Sequence, residues 1–141
     1  MRAVLDTSVL IGADAPGDVE GAISVASITE LHFGVLVAGD DDERARRIGR
    51  LSAVEAAFDP LPITVEVARA WGRLAAAVTQ RGGNPRRRQI DLAIAATATI
   101  EEVPLLTHDL ADLEIIKDLV DARQPFPSRD KVSGDCGSSK V

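Results

Sequence analysis

The chain has 141 residues, of which 45% are hydrophobic, and carries 22 acids against 16 bases for a formal net charge of -6. That is enough for one domain with a real core, and it excludes wholesale disorder. Aromatic residues make up only 3%, which argues against a protein that stacks exposed bases on aromatic platforms, and the acidic surplus makes a nucleic-acid binder a poor first guess.

The single cysteine, Cys136, excludes an intrachain disulfide framework and a cysteine zinc site. Charged residues come too early after Met1 for a signal peptide, and no apolar run approaches the roughly 20 residues of a spanning helix. A soluble, intracellular protein with no membrane partner is expected.

Ala3-Val4-Leu5 reads as a short buried strand ending at Asp6, followed by a helix start near Thr7–Ile11 that Thr7 or Ser8 can cap. Asp14 to Gly21 reads as a loop, Ile23–Ala26 as a second strand, and Ser27 to about Ala38 as a helix. Glu43 to Phe58 is a helix with Ile48, Leu51, Val54 and Phe58 at helical spacing. Asp59-Pro60-Leu61-Pro62 breaks it, and Ile63 reads as a short strand. Val65 to Gln80 is a long helix with Val67, Trp71, Leu74 and Val78 on one face, ended by Gly82-Gly83-Asn84-Pro85.

Asp91 to Ile100 is a nearly all-apolar helix, hence buried on most sides. Pro104–Thr107 reads as another buried strand and Glu114–Ile116 as a short element; from Gln124 onward Pro, Ser, Gly and Lys dominate. The expected organisation is a domain over 1–122 and a poorly ordered tail over 123–141. Short buried strands alternating with helices imply a parallel α/β sandwich, with a site at the carboxyl ends of the strands.

Four carboxylates stand among apolar neighbours: Asp6, Glu30, Asp91 and Asp109, with Asp112 close behind the last. Burying an ionised carboxylate alone costs several kcal/mol, so such groups need a cation, a hydrogen-bond network or a raised pKa. Each also has a structural explanation. Asp6 can cap a helix, Ser27-x-x-Glu30 reads as a capping box, Asp91 complements a helix N-terminus, Asp109 suits a turn and Asp112 a solvated surface. The set rather than any member carries the argument. Carboxylates converging without His or Cys make a hard oxygen site, suited to Mg²⁺ or Mn²⁺ rather than zinc.

The set and its order resemble a PIN domain. Val4-Leu5-Asp6-Thr7-Ser8-Val9-Leu10-Ile11 is similar to the family's opening motif and Ser24–Gly34, around Glu30, to its second. Ile90–Ala98, around Asp91, is similar to the third, and Leu105–Leu113, around Asp109, to the fourth. The resemblance covers about residues 2 to 120 and is closest to VapC-type toxins of bacterial toxin–antitoxin pairs.

It implies a three-layer α/β/α sandwich with a short central parallel sheet. It also implies a Mg²⁺-dependent endoribonuclease, with Mn²⁺ as a substitute, acting as a toxin that cleaves cellular RNA in the bacterial cytoplasm and inhibits translation and growth. Carried over by position, Asp6, Glu30, Asp91 and Asp109 are the catalytic acids and metal ligands. Asp112 is a further ligand or an alternative to Asp109. Thr7, Ser8 and Thr107 hold the carboxylates. Leu113 stands where an aromatic residue is common. A homodimer and a VapB-like antitoxin that wraps the apolar helices are further implications. A PIN nuclease of RNA processing, an inactive PIN-like binding domain and, third, a phosphatase-like hydrolase are the alternatives.

RNA also requires a basic surface. Between Glu66 and Asp91 stand Arg69, Arg73, Arg81, Arg86, Arg87 and Arg88 with no acid among them. Arg81 and the Arg86–Arg88 run are the expected RNA contacts, while Arg69 and Arg73 fit a solvated face equally well. Arg44, Arg46, Arg47 and Arg50 read as a solvated face or an antitoxin contact. His32 and Trp71 read as structural, and His108 as exposed. Setting the five singled-out acids aside leaves 17 of the 22 acids against 16 bases, so the negative surplus is largely the proposed site.

Overall fold

A computed structural model describes residues 1–12 and 18–125. Residues 14–17 of the expected Asp14–Gly21 loop, and the tail from 126 with Cys136, lie outside the described residues. Strand β1 (Arg2–Leu5) is followed by α1 (Thr7–Leu10), β2 (Glu20–Ala22), α2 (Val25–Leu36), α3 (Asp41–Ala57) and α4 (Val65–Gln80). A 3₁₀ turn (Pro85–Arg88) then leads into α5 (Gln89–Glu101), β3 (Leu105–Leu106), a 3₁₀ helix (Leu110–Ile116) and β4 (Ala122–Arg123).

All pairings are parallel, in the order β2-β1-β3-β4. The chain winds outward from β1 to β2, then crosses back to place β3 on the other side of β1. The crevice between β1 and β3 is therefore the switch point of the sheet, where doubly wound folds place their sites.

Alternation along the strands builds the layers. Val4 and Leu105 point into a core shared with α4 and α5. Ala3, Leu5 and Leu106 point the other way, into a core with Val9, Leu31 and Val54. Helices on both faces of a short parallel sheet make the expected three-layer α/β/α sandwich. Leu92 to Ala98 are all buried; alanines at 93, 95, 96 and 98 let α4 and the sheet approach α5 closely. The buried Thr97 hydroxyl donates back to Ala93 O at 2.9 Å, which satisfies a polar group that burial would otherwise penalise.

Several local expectations are corrected. The second strand is Glu20–Ala22, three residues earlier than the hydrophobic pattern suggests. Gly21 suits this: a Cβ there would lie 2.7 Å from Leu5 Cδ1, so a larger residue at this register would have to displace the buried Leu5 side chain. Ser24, rather than Ser27, caps α2, accepting from Ala26 N at 3.0 Å. Ser27 and Glu30 lie inside the helix and form no capping box. Asp6, rather than Thr7 or Ser8, caps α1.

Ile48 faces solvent at 47% exposure although it shares the helical spacing of Leu51 and Val54. The extended bridge after α3 is at Leu61, paired with Ser24, instead of Ile63. Strand β4 pairs Ala122 and Arg123 with β3, so the sheet takes in Arg123, the first residue that composition assigns to the tail. Glu102, in the left-handed conformation at φ 57°, terminates α5. No helix among the described residues is long and apolar enough to cross a membrane.

Candidate active site

The register of β1 on β3 pairs Leu5 with Leu106. One step further along each strand, Asp6 therefore faces Thr107, at the carboxyl ends of both strands. Asp6 is only 5% exposed. Its Oδ2 accepts from Ser8 Oγ at 2.7 Å, from Thr107 Oγ1 at 2.9 Å and from Ser8 N at 3.4 Å.

Each hydroxyl carries one proton, and both protons go to Asp6. Ser8 Oγ in turn accepts from His108 N at 3.0 Å, and Thr107 Oγ1 from Asp109 N at 2.9 Å. Asp6 Oδ1 carries no hydrogen bond among the described residues, so one oxygen is fixed and the other is available.

Asp91 enters from the first turn of α5. Together with Asp6, Thr107, Asp109 and Asp112 it lines one small cleft, over the buried Leu105 and Leu113. Leu113, at the position where the family often has an aromatic, is 4% exposed and simply packs. Burial first, then the charges of Asp6, Glu30, Asp112 and Asp109, push the Asp91 carboxyl up to about 6. All four other acids singled out in the sequence thus bear on Asp91.

Asp109 also lies above the usual carboxylate range, raised by burial and by Asp6 and Asp112, with His108 opposing. Its side chain caps nothing, so the turn explanation does not account for it.

Glu30 projects from α2. The Thr7 hydroxyl donates to Ser27 Oγ at 3.0 Å, docking α1 against α2 one turn before Glu30. Glu30 does not line the cleft shared by the aspartates; it lines an adjoining groove with Thr7, Gly34, Arg47 and Arg50. Its Oε1 is buried with no hydrogen-bond partner among the described residues. Burial raises its pKa, with the nearby Thr7 hydroxyl opposing and Asp6 and Asp109 adding to the rise.

The donor set suits a hard divalent cation. It is all oxygen, it contains a buried carboxylate oxygen with nothing to bond, and its members destabilise one another's ionised forms. Among the described residues no three acidic, His or Cys side chains stand close enough to chelate an ion together.

The arginines divide into two pairs. Arg81 forks onto Asp118, Nη1 to Oδ1 at 2.6 Å and Nη2 to Oδ2 at 3.2 Å, and Nη1 also donates to Ile115 O at 2.9 Å. Arg88 pairs with Asp112 at 3.2 Å and donates to the Asp112 carbonyl. Arg86 and Arg87 are exposed and carry no ion pair among the described residues. Arg47, read from sequence as surface, is half-buried beside Glu30's groove, donating to Gly34 O at 2.6 Å and to Glu43 at 2.8 Å; nothing in its spacing marks that contact. His32 is exposed on α2, His108 is exposed beside the site, and Trp71 packs against the α4–α5 core.

Residues 3–117 match the model of the PIN domain family. The chain is 37% identical over 114 residues to Ribonuclease VapC5 of Mycobacterium tuberculosis, covering 75% of this chain and 82% of that protein. It is 34% identical over 127 residues to Ribonuclease VapC4 of the same organism, covering 82% and 95%. Its fold is similar to a crystal structure of VapBC-5, a member of the VapBC family of toxin–antitoxin systems from M. tuberculosis, with TM-score 0.71, 34% identity, and 87% of this chain and 96% of that chain covered. Family model, relatives and fold agree: the chain is a member of the PIN domain family and, within it, of the VapC ribonucleases.

Proposed function

We propose that the chain is a divalent-metal-dependent endoribonuclease, the toxin of a VapBC-type pair that cleaves cellular RNA in the bacterial cytoplasm and so inhibits translation and growth. One observation carries this reading: four aspartates converge at the switch point of the sheet, with Asp6 locked by two hydroxyl protons. Kinship to proteins named ribonucleases supports it.

A phosphodiester is anionic, and bare carboxylates would repel it. Mg²⁺, or Mn²⁺ in its place, held by Asp6, Asp91 and Asp109 with Glu30 and Asp112 beside them, would reverse the local sign, acidify water and stabilise the leaving oxygen. Ser8 and Thr107 keep Asp6 oriented and leave its Oδ1 free, the oxygen that would serve as a ligand. Glu30, whose Oε1 is buried without a partner in the adjoining groove, would serve as a further ligand or orient water from the α2 side. Arg86 and Arg87 bind flanking phosphates, while Arg81 and Arg88 hold the frame.

A VapB-like antitoxin and a second copy of the chain are the proposed partners. Phe33, Leu36 and Val37, each more than half exposed at the end of α2, support an apolar contact there. The test is Asp6→Asn, with cleavage ends mapped after expression without antitoxin. The variant should melt as the parent does, arrest no growth and cut no RNA. Unchanged cleavage overturns the reading.

A further inference from the structure

A second cleft, of about 520 Å³, opens beside the acids between the Gly82–Arg88 turn and the 3₁₀ helix Leu110–Ile116. Asp112 lines both this cleft and the acid cleft. The two are therefore neighbouring compartments with one carboxylate as their shared wall, and Arg88 pins that wall through the Asp112 side chain and carbonyl.

The buried side of the second cleft is apolar. Val78 is 1% exposed, and a Cβ on Gly83 would lie 2.8 Å from Val78 Cγ1 and 2.9 Å from Ile115 Cδ1. The turn is thus pressed onto this pair, and the cavity above it is preformed. The open side is polar. Arg87 lines it, exposed and with no ion pair among the described residues. Asn84 lines it too; its Oδ1 accepts from Arg86 N at 3.0 Å, which leaves the amide nitrogen as the group free to face a ligand.

With Val78 sealed beneath the turn, the half-buried Ile115 is the accessible aliphatic floor; the lining carboxylates are both paired, Asp112 with Arg88 and Glu114 with Lys117, so the open donors are Asn84 and Arg87, a set that fits a nucleotide. A nucleobase lies against the floor and offers a carbonyl or ring nitrogen to Asn84. Its phosphate meets Arg87, which binds phosphate in a bidentate fork. The chain is poor in aromatics, so base recognition here uses aliphatic surface and a guanidinium plane instead of aromatic stacking.

We propose that this cleft is a nucleotide subsite, taking the ribonucleotide next to the scissile bond, with Ile115 under the base, Asn84 on its edge and Arg87 on its phosphate. The ribonuclease reading explains why a nucleotide would be there; whether one binds stands apart from it.

The test is titration of the metal-free protein with the 5′-phosphorylated dinucleotides pApA, pCpC, pGpG and pUpU at up to millimolar concentration, followed by backbone-amide NMR. At least one should shift the amides of Gly82, Gly83, Asn84 and Ala111. Ala111→Trp, which fills the cleft from an exposed position, should abolish those shifts while leaving the remaining spectrum folded. Arg87→Ala should weaken binding about tenfold, and it decides the matter if the tryptophan variant misfolds.

Absence of shifts at these amides overturns the subsite, as does undiminished binding in Arg87→Ala. Cleavage assays separate the two readings. A protein that cuts RNA but fails this titration keeps the ribonuclease reading and loses the subsite. A protein that binds dinucleotides here but cuts nothing does the reverse.

Discussion

Arg88 closes onto Asp112 across the gap between the 3₁₀ turn and the 3₁₀ helix, joining the carboxylate at 3.2 Å and also holding the backbone carbonyl. Asp109, three residues earlier, has no such counter-charge. Its carboxyl is raised by burial, Asp6 and Asp112, with only His108 opposing. Two acids that look interchangeable in the sequence therefore differ: one is neutralised within the chain and the other is not.

A carboxylate already paired with a guanidinium gains less from a second cation. Asp109→Asn should weaken Mg²⁺ binding about tenfold or more, and Asp112→Asn by less than about threefold. Calorimetric titration of both variants checks this; equal losses would show that Arg88 does not separate their roles.

Thr107 donates its only proton to Asp6 and accepts from Asp109 N. Thr107→Val keeps the shape but removes both bonds, leaving a buried carboxylate short of a donor. The expected cost is about 1–3 kcal/mol of stability and about 10- to 100-fold in metal affinity or cleavage. Thr107→Ser should restore most of both. A valine variant that matches the parent in melting and in metal titration would remove the hydroxyl from the site's support.

The raised Asp91 carboxyl sets a pH dependence of the metal-free protein. Unfolded, the group has the ordinary value of 3.8; folded, about 6. The folded state holds the proton more tightly, so its penalty is full above about 6, lifts as pH falls towards 3.8, and is gone below that. Metal-free protein should gain stability between pH 7 and about 5, as seen in denaturant midpoints. Asp91→Asn should flatten that rise and add about 1–2 kcal/mol at pH 7.5, less than the full shift because the carboxyl is not wholly dry. A midpoint that falls on acidification in this window would contradict the assignment.

Ser24 and Ser27 are both fully buried, but only Ser24 accepts a helix N–H. Ser24→Ala should cost about 1 kcal/mol through the lost cap. Ser27→Ala, which removes only the acceptor for Thr7, should cost less and should instead loosen α1 against α2. Thermal melts of the two variants decide which serine starts the helix; a larger loss at Ser27 would restore the capping box.

Much of this was legible in the sequence because burial and motif order agree. Helix α4 follows its apolar spacing from Val65 to Gln80, and the acids after Leu5 and Leu106 lie at strand ends, as short apolar runs imply. Elements governed by partners elsewhere were not legible. Strand β2 is set by Gly21 sliding over Leu5, and β4 exists because β3 offers it an edge. Arg81 and Arg88 belong to an unbroken basic stretch, yet acids more than twenty residues away hold both. Charge along a chain does not reveal which charges fold onto one another.

The bond from Thr107 to Asp6 spans 101 positions, and it ties the first strand to the third. The acid cluster is accordingly a late product of synthesis. A chain still on the ribosome, with β1, β2 and the first four helices already outside, has Asp6, Ser8 and Glu30 but lacks Asp91, Asp109 and the Thr107 hydroxyl that completes the lock on Asp6. Only when the segment after α5 emerges and settles beside β1 do the parts meet, so a truncated or stalled chain lacks the complete cluster.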